Sequence, residues 1–431
     1  MARPTPPLSR RGLLALGGSA ALGALLSSCT GGATPGLTPT PEAGTTAGGP
    51  RPALAHWYHQ YPEKGRHEAA RRYAEAYTAA DVSVAWRPGD YARTTAEALL
   101  TAAGPDVFEY PDGPTIDMIR GEQVVDLTDV LGGALSDFVP ALVDRVTWDG
   151  KVYAVPQVVS TQMLVYRRSM LDQAGIAPPQ QMEDLLESAR ALTRDDVKGL
   201  FLGNDGGAAR MGAPMLWSGG FDLLEDESVG FDNAGAAESL AVLRTLWTDE
   251  VLLLDAADDW PDATPLTSGQ VAMQWTDLSA FPLLRERLGD DVGAVPWPSM
   301  PGGAPSVPVT AWSTSVSALA RDVDAAREYV RWLWVDSLEH QLDFATVHGL
   351  SIPARLSLMT EAEPLASGLE HEAATAVAEH GRSPHPLLWT PTCASAWEEM
   401  MGRIVRDGSD PQAELDALVP VVEAELDRVT A

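Results

Sequence analysis

Short apolar runs alternate with amphipathic stretches along most of the chain after residue 52. Apolar residues two apart predict strands, and apolar residues three and four apart predict helices. Strands separated by helices of this length are typical of βαβ units, so the pattern predicts an α/β fold with a parallel sheet. We predict strands at 53–58, 82–86, 105–110, 161–166, 199–202, 270–275, 292–295 and 311–319, and a hairpin at 147–156. We predict helices at 63–80, 91–103, 169–174, 181–192, 208–217, 234–247, 278–288, 323–334, 338–347, 363–379, 394–406 and 411–429.

The first 52 residues have a different pattern. Paired Arg10 and Arg11 precede an apolar run at 13–26, which is too short and too rich in Gly and Ala for a membrane-spanning helix. This arrangement resembles a twin-arginine export signal, and "LSSC" resembles a lipobox in which Cys29 is lipidated. We expect residues 1–28 to be a signal peptide and 29–52, rich in Gly, Pro and Thr, to be a flexible tether. The alternative is an ordinary secretory signal with a chance cysteine.

Charge and motif content exclude several classes of function. The 431 residues include 60 acidic and 30 basic ones, and a surface this negative repels nucleic acid and anionic lipid. The chain contains none of the phosphate-binding, dinucleotide-binding, serine-hydrolase or C-x-x-C motifs. His56 and His59 would lie on opposite faces of a strand, so we expect no metal site there. We also expect the protein to use no cofactor. If Cys29 carries lipid, Cys393 has no intramolecular partner, and we expect it to be buried near a helix start.

The order of eight segments along the chain carries a family resemblance. The first segment runs from His56 to Tyr110 and contains "HWYHQYPEKG", "VSVAWRPGDYARTTAEALL" and "PDVFEY". The other seven are "VVDLTDVL", "VTWDGKVYAVPQVVSTQMLVYRRSMLDQAGI", "MLWSGGFDLL", "LTSGQVAMQW", "VGAVPWPSMPGG", "AWSTSVSALARDVDAAREYVRWLW" and "VHGLSIPAR". In this order they resemble the extracellular solute-binding proteins of bacterial ABC importers, in the carbohydrate-binding, maltose-binding-protein-like (family 1) branch. Arg167-Arg168 and Met182 depart from the family's usual residues, at positions outside the expected ligand cleft.

The resemblance implies a two-lobe periplasmic-binding-protein-like fold in which the chain crosses a hinge three times. We place the crossings near 159–161, 308–310 and 350–352. Lobe one then comprises 53–159 and 310–350, and lobe two 160–309 and 351–431. The resemblance also implies a monomeric receptor outside the cytoplasmic membrane that binds solute between the lobes and delivers it to a permease without catalysis. The membrane is then a partner only through the lipid on Cys29.

The candidate binding residues are aromatic or polar side chains at strand ends or in loops that match the family. Aromatic rings cover the C–H faces of a sugar, while carboxylates, amides and Arg pair with its hydroxyls. The candidates are His59, Gln60, Tyr61, Tyr91, Glu109, Asp112, Gln162, Trp217, Trp275, Asp277, Trp297, Trp312 and Arg355.

Each candidate also has a structural interpretation. Any of the tryptophans could pack in a core, Asp112 could be a turn residue and Glu109 could cap a helix. We assign Trp247, Trp332 and Trp334 to packing, Trp57 to a lobe core, and 66–71 to a helix surface. Two other functions stay open: a secreted glycoside hydrolase with a carboxylate pair, and a receptor for a non-sugar solute such as an oligopeptide or polyamine.

Overall fold

The alternation of strands and helices folds as a mixed α/β structure. A computed structural model describes residues 51–348 and 351–431, so the predicted signal peptide and nearly all of the tether lie outside the described residues. The strands are β1 (Ala53–His59), β2 (Asp81–Arg87), β3 (Val107–Pro111), β4 (Thr147–Trp148), β5 (Lys151–Val152), β6 (Val155–Arg167), β7 (Lys198–Phe201), β8 (Leu224–Glu225), β9 (Ser228–Val229), β10 (Val271–Asp277), β11 (Val292–Val295), β12 (Val307–Val316), β13 (Ile352–Pro353) and β14 (Gly381–Arg382).

Helices connect and cover these strands. They are α1 (Lys64–Ala76), α2 (Tyr91–Ala98), α3 (Ile116–Arg120), α4 (Thr128–Leu131), α5 (Pro140–Arg145), α6 (Arg168–Ala174), α7 (Met182–Leu192), α8 (Gly212–Ser218), α9 (Ala234–Thr248), α10 (Thr264–Thr267), α11 (Phe281–Leu288), α12 (Val323–Val330), α13 (Leu338–Leu342), α14 (Leu356–Glu361), α15 (Gly368–His380), α16 (Pro391–Gly402) and α17 (Pro411–Thr430). None of the helices in the described part of the chain has the length and apolar character to cross a membrane.

One large sheet has the strand order β2-β1-β3-β12-β6-β10-β7, and β11, β13 and β14 pair at its sides. The pairs β1–β2, β1–β3 and β7–β10 are parallel, whereas β12 and β6 run antiparallel to their main neighbours. The parallel strands β1, β2 and β3 therefore bring the ends of Ala53–His59, Asp81–Arg87 and Val107–Pro111 to one edge. Loops at such an edge are where α/β proteins bind ligands.

The strand β6 joins two groups of strands. Its first half pairs with β12 and β13, and its second half pairs with β10 and β11. The change of partners falls between Thr161, which faces Val309, and Gln162, which faces Asp277. Two of the predicted hinge crossings, at 159–161 and 308–310, lie at this junction. Leu350 of the third lies outside the described residues, and the lobe boundaries stay a prediction.

Most elements of the sequence prediction are confirmed, with ends displaced by a few residues. The hairpin at 147–156 is the pair β4–β5. The predicted helices at 323–334 and 338–347 begin as α12 and α13 and then widen into π-type turns. The first half of β6 was missed because Val155–Ser160 follows the hairpin and contains Pro156, which disfavours a strand assignment.

The core contains several side chains that the sequence assigned to packing. Trp57 is 8% exposed and Trp334 is fully buried, as predicted. Trp247 and Trp332 are only partly buried, packed against the edges of the core. Cys393 is buried in the first turn of α16, where its amide donates to the cap residue Thr390. The expectation of a buried cysteine near a helix start is confirmed.

Candidate functional site

A cavity of about 380 Å³ opens at the carboxyl ends of β1 and β3, and we call it the strand-end cavity. Four of the predicted binding residues line it, namely His59, Tyr61, Asp112 and Trp312. His59 ends β1, Asp112 follows β3, and Trp312 belongs to β12 and faces Pro111 of β3. Three neighbouring strands therefore bring together residues from distant parts of the sequence.

Trp312 and His59 stack face to face in the wall of the strand-end cavity and form an aromatic surface there. Their ring centroids lie 3.6 Å apart and the planes differ by 12°, so the rings are stacked. Tyr61 adds a third ring, 3.8 Å from that of His59 and tilted by 50°. Stacked rings of this kind offer rigid apolar area at a low cost in conformational entropy, which suits the C–H face of a sugar.

Glu109 lies behind this surface and is completely buried. Its Oε1 accepts a hydrogen bond from the backbone amide of His59 (2.7 Å) and contacts His59 Nδ1 (2.5 Å), and its Oε2 accepts from the Tyr61 hydroxyl (2.8 Å). In the amide orientation that satisfies its neighbours, Gln157 also donates to Oε2, at 3.2 Å. Burial, and next the nearby Glu109, raise the pKa of the Tyr61 hydroxyl, so Tyr61 is a neutral donor. Glu109 thus organises the wall from behind.

Asp112 is held in a fixed orientation by β12. Its backbone adopts a left-handed conformation with φ 56°, its amide donates to the Ala311 carbonyl, and its Oδ1 accepts from the Ala311 amide at 3.1 Å. Its Oδ2 lies 2.9 Å from Nδ1 of His385. The sequence analysis missed His385, since a partner 273 residues away leaves no local signal.

Arg66 is a second residue that the sequence analysis missed. Its segment was predicted to be a helix surface, but Arg66 is 4% exposed and lines the strand-end cavity. Its guanidinium lies over the Tyr61 ring, 4.6 Å from the centroid, and its Nη2 donates to Ser351 Oγ at 2.7 Å. The helix-surface prediction is wrong for Arg66 because the first turn of α1 packs against Ser351, which lies 285 residues further along the chain.

Three predicted tryptophans lie in the core instead of on an open wall. Trp275 and Trp297 are fully buried and pack edge to face, with centroids 5.4 Å apart. Trp217 is 1% exposed and donates to Asp222 Oδ1 at 2.8 Å. The indole of Trp275 donates to Gln162 Oε1 at 2.8 Å.

The remaining predicted residues are not part of the wall of the strand-end cavity. Tyr91 is buried, and its hydroxyl shares its single hydrogen between the carbonyls of Trp57 (3.0 Å) and Glu109 (2.9 Å), which ties β1 to β3. Gln60 is exposed beyond the end of β1. Asp277 caps the turn that contains Ser279.

Arg355, also predicted, lies in a structural contact. It is 8% exposed, forms an ion pair with Asp137 at 2.7 Å and stacks over the Phe138 ring. The pKa of Asp137 is lowered, because hydrogen bonds from Ser357 and Arg355 outweigh its partial burial. This contact fastens the segment after β13 to the loop before α5.

Two further cavities differ from the strand-end cavity in size and lining. One of about 130 Å³ is lined by Gln162, His385 and Trp397, and it shares Thr310 with the strand-end cavity. The other, of about 750 Å³, lies between Trp148 and Arg382, contains none of the predicted residues in its wall and is called the Trp148 cavity below. We take the strand-end cavity as the candidate site although it is smaller than the Trp148 cavity. It lies at the carboxyl ends of parallel strands and unites aromatic and hydrogen-bonding groups.

The described residues contain no group of three His, Cys, Asp or Glu side chains that could hold a metal ion. His56, next to the site in sequence, is fully buried beneath Tyr58 and Tyr329. Burial lowers its pKa to about 3, so its ring is neutral. His56 therefore belongs to the core. The groups that the strand-end cavity offers to a ligand are the aromatic rings and hydrogen-bonding side chains that line it.

Two relatives of known binding function are similar to parts of this chain. The polygalacturonan/rhamnogalacturonan-binding protein YtcQ of Bacillus subtilis (strain 168) is 28% identical over 189 residues, which cover 41% of this chain and 36% of the relative. The diacetylchitobiose binding protein DasA of Streptomyces coelicolor is 24% identical over 256 residues, which cover 56% and 59%. The chain thus spans less than two thirds of either relative.

Solved structures share the fold over nearly the whole described chain. The GacH receptor of Streptomyces glaucescens superimposes with a TM-score of 0.71 at 22% identity, covering 88% of this chain and 99% of that chain. The cyclic alpha-maltosyl-1,6-maltose binding protein from Arthrobacter globiformis gives 0.73 at 18% identity, covering 88% and 100%. These similarities confirm the predicted two-lobe fold. Residues 68–368 match the family described as bacterial extracellular solute-binding protein, and the chain belongs to that family.

Proposed function

We propose that this protein is a receptor that binds a sugar or oligosaccharide in the strand-end cavity and delivers it to the permease of an ABC importer. The observation that carries the proposal is the stacked pair of His59 and Trp312 at the carboxyl end of β1, beside hydrogen-bonding groups. We assign direct ligand contacts to His59, Tyr61, Asp112 and Trp312, and add Arg66. The relatives support the proposal, because both are named for the carbohydrates they bind.

The geometry favours a receptor over a glycoside hydrolase. A hydrolase needs one carboxyl group that can protonate the leaving oxygen and a second that can attack or activate water. Glu109 is completely buried with donors at both oxygens, and Asp112 is held by Ala311 and His385. Neither of these two carboxylates is free for those roles. Glu63 also lines the cavity, but it then lacks a second free carboxylate in the described part of the wall with which to form a pair. The family is one of binding proteins, and we propose that this member has no catalytic activity and no cofactor.

A binding test can separate the two functions. We would measure melting temperature with maltotriose, N,N′-diacetylchitobiose and trigalacturonate, and then recover each sugar. A sugar at a hundredfold excess over Kd should stabilise the protein by about 2.7 kcal/mol and come back unchanged. Recovery of shortened sugar would support a hydrolase. Stabilisation by an oligopeptide or polyamine, with no response to any sugar, would support a receptor for a different solute.

The predicted hinge gives a second expected result. If the chain crosses between lobes near 159–161, 308–310 and 350–352, a solute that touches both lobes favours the closed form by its differential affinity. The radius of gyration measured by solution scattering should then fall when the stabilising sugar is added. The same sugar added to the Trp312→Ala variant is the control. Stabilisation without compaction would place the ligand within one lobe.

We also propose that the protein acts as a monomer outside the cytoplasmic membrane, anchored by lipid on Cys29. The support is the small residues before Cys29 and the Gly/Pro/Thr-rich stretch after it. The Cys29→Ser variant should be released from membranes or accumulate as an uncut precursor, because the lipid acceptor is lost. Cys393→Ser is the matched control and should fractionate like the wild type. A processed Cys29→Ser protein that stays with membranes would contradict the lipobox interpretation.

A further inference from the structure

His385 lies at the boundary between two cavities. It lines the cavity of about 130 Å³, which we call the Gln162 cavity, and its Nδ1 lies 2.9 Å from Oδ2 of Asp112 in the wall of the strand-end cavity. Thr310 lines both cavities. The ring of His385 occupies the space next to Oδ2 by its position, whichever of its nitrogens carries a proton. The contact of His385 with Asp112 therefore stands where the two cavities meet.

The backbone on both sides of His385 is fixed, but its side chain is not. The strand β14 just before it pairs with β12, and Leu387 just after it is 9% exposed. Pro384 and Pro386 flank His385, and prolines fix their own φ and hold the preceding residue in an extended conformation. The side chain is 53% exposed, and within the described residues its ring forms no hydrogen bond except to Asp112. The ring can therefore rotate away while its backbone stays in place.

The Gln162 cavity has aromatic and hydrogen-bonding groups in its wall, like the strand-end cavity. The Oε1 of Gln162 accepts from Trp275 Nε1 at 2.8 Å, and its amide nitrogen has no hydrogen-bond partner within residues 51–348 and 351–431. That nitrogen is a donor available to a sugar hydroxyl. The other aromatic or charged residues of this wall are Arg210, Trp389, Trp397 and Glu398. A sugar that reaches past His385 would thus meet a second set of contacts.

We propose that His385 is a specificity-determining residue that makes binding depend on the length of the sugar. A single sugar ring lies against Trp312 and His59 and leaves the contact of His385 with Asp112 in place. A sugar of two or more rings lies across both cavities, and its second ring displaces the ring of His385. Oδ2 of Asp112 then becomes an acceptor for a hydroxyl of the longer sugar. Because this role rests on the proposed receptor function, it concerns which sugars the same site accepts.

The His385→Ala variant tests this role by titration calorimetry. The sugars are three pairs, each with a longer and a single-ring member: maltotriose and glucose, N,N′-diacetylchitobiose and N-acetylglucosamine, trigalacturonate and galacturonate. For the pair that binds the wild type, the variant should bind the longer sugar about two- to tenfold more tightly, because a contact of the size of one hydrogen bond no longer has to be broken. Its affinity for the single-ring sugar should be unchanged.

The matched control is His380→Ala, which removes a histidine five residues earlier in the chain. His380 ends α15, and its ring lies 3.7 Å from the carboxylate of Glu379, outside the walls of the three cavities described above. This variant should bind both members of each pair like the wild type. An equal change of affinity for both lengths in His385→Ala would overturn the proposed role. Weaker binding of the longer sugar would also overturn it, because His385 would then be a ligand contact and not an obstacle.

The wild-type protein gives a second measurement, the NMR signals of the His385 ring. These signals should shift when the protein is saturated with the longer sugar, because the ring leaves Asp112, and they should stay in place with the single-ring sugar. A longer sugar that binds and leaves the signals unmoved would overturn the role of His385 and leave the receptor in place. No binding of any of the six sugars to the wild type or to His385→Ala would overturn the receptor and the role of His385 together.

Discussion

Replacing Trp275 with alanine is expected to lower the free energy of unfolding by about 3–5 kcal/mol, the usual cost of emptying a large buried site. Trp275 is fully buried in β10, packs edge to face on Trp297 and donates to Gln162. Truncation would lose these contacts and leave a cavity between rigid neighbours. Denaturant unfolding measures the effect, and ligand binding at low temperature should persist in the folded fraction.

This expectation separates packing from recognition for a residue that the sequence placed in the site. A variant with wild-type stability and abolished sugar binding would show that Trp275 contacts the ligand. Trp332→Ala is a suitable control for stability, because Trp332 is a partly buried ring at the edge of the core, stacked on Tyr329. Its loss should destabilise the protein less than the loss of Trp275.

Replacing Trp312 with alanine should have the opposite profile. Trp312 is only partly buried, lines the strand-end cavity and forms the stack with His59. Losing a large ring at a ligand contact should weaken sugar binding by about 1–3 kcal/mol, or roughly fivefold to 150-fold in Kd. Titration calorimetry with the sugar that stabilises the wild type measures the change.

The control for Trp312 is again Trp332→Ala, which removes a ring of the same size away from the cavity. Its affinity for the sugar should equal that of the wild type. Equal affinity of Trp312→Ala and wild type would move the binding surface away from the stack. A Trp312→Ala protein that melts before binding can be measured would be replaced by Trp312→Leu, which keeps apolar bulk but removes the ring.

The sequence predicted the local elements well because they depend on nearby residues. The first unit, from β1 through α1 and β2 to β3, follows from apolar spacing alone. The position of β12 between β3 and β6 does not, because residues 307–316 enter the sheet far from their sequence neighbours. The family resemblance assigned residues 310–350 to the same lobe as 53–159, but neither the resemblance nor the pattern predicted the position of β12 within the sheet.

Ring direction was the main obstacle in predicting the site. Trp275 stands between Gln274 and Thr276, which suggested a wet environment, yet all three residues are buried. A strand covered on both faces does not alternate between apolar and polar residues, so its neighbours give no information about which ring reaches a cavity. His59 and Tyr61 line the cavity at and just beyond the end of β1, whereas Trp312 lies inside the central strand β12, and their contact with a ligand stays a prediction.

Long-range partners could not be predicted at all. His385 reaches Asp112 and Ser351 reaches Arg66 across more than half of the chain. The carboxylate of Glu109 was recognised from its place at the end of β3, but its burial depends on Tyr61 and Gln157 folding over it. Such contacts are products of the tertiary fold and leave no trace in local spacing.

A crystal structure of the protein with the most strongly stabilising sugar tests the central claim most directly. We predict density for the sugar in the strand-end cavity, with one ring face against Trp312 and an oxygen within hydrogen-bond distance of His59 Nε2. Density for the sugar in the Trp148 cavity, with the stack of His59 and Trp312 uncovered, would contradict the account.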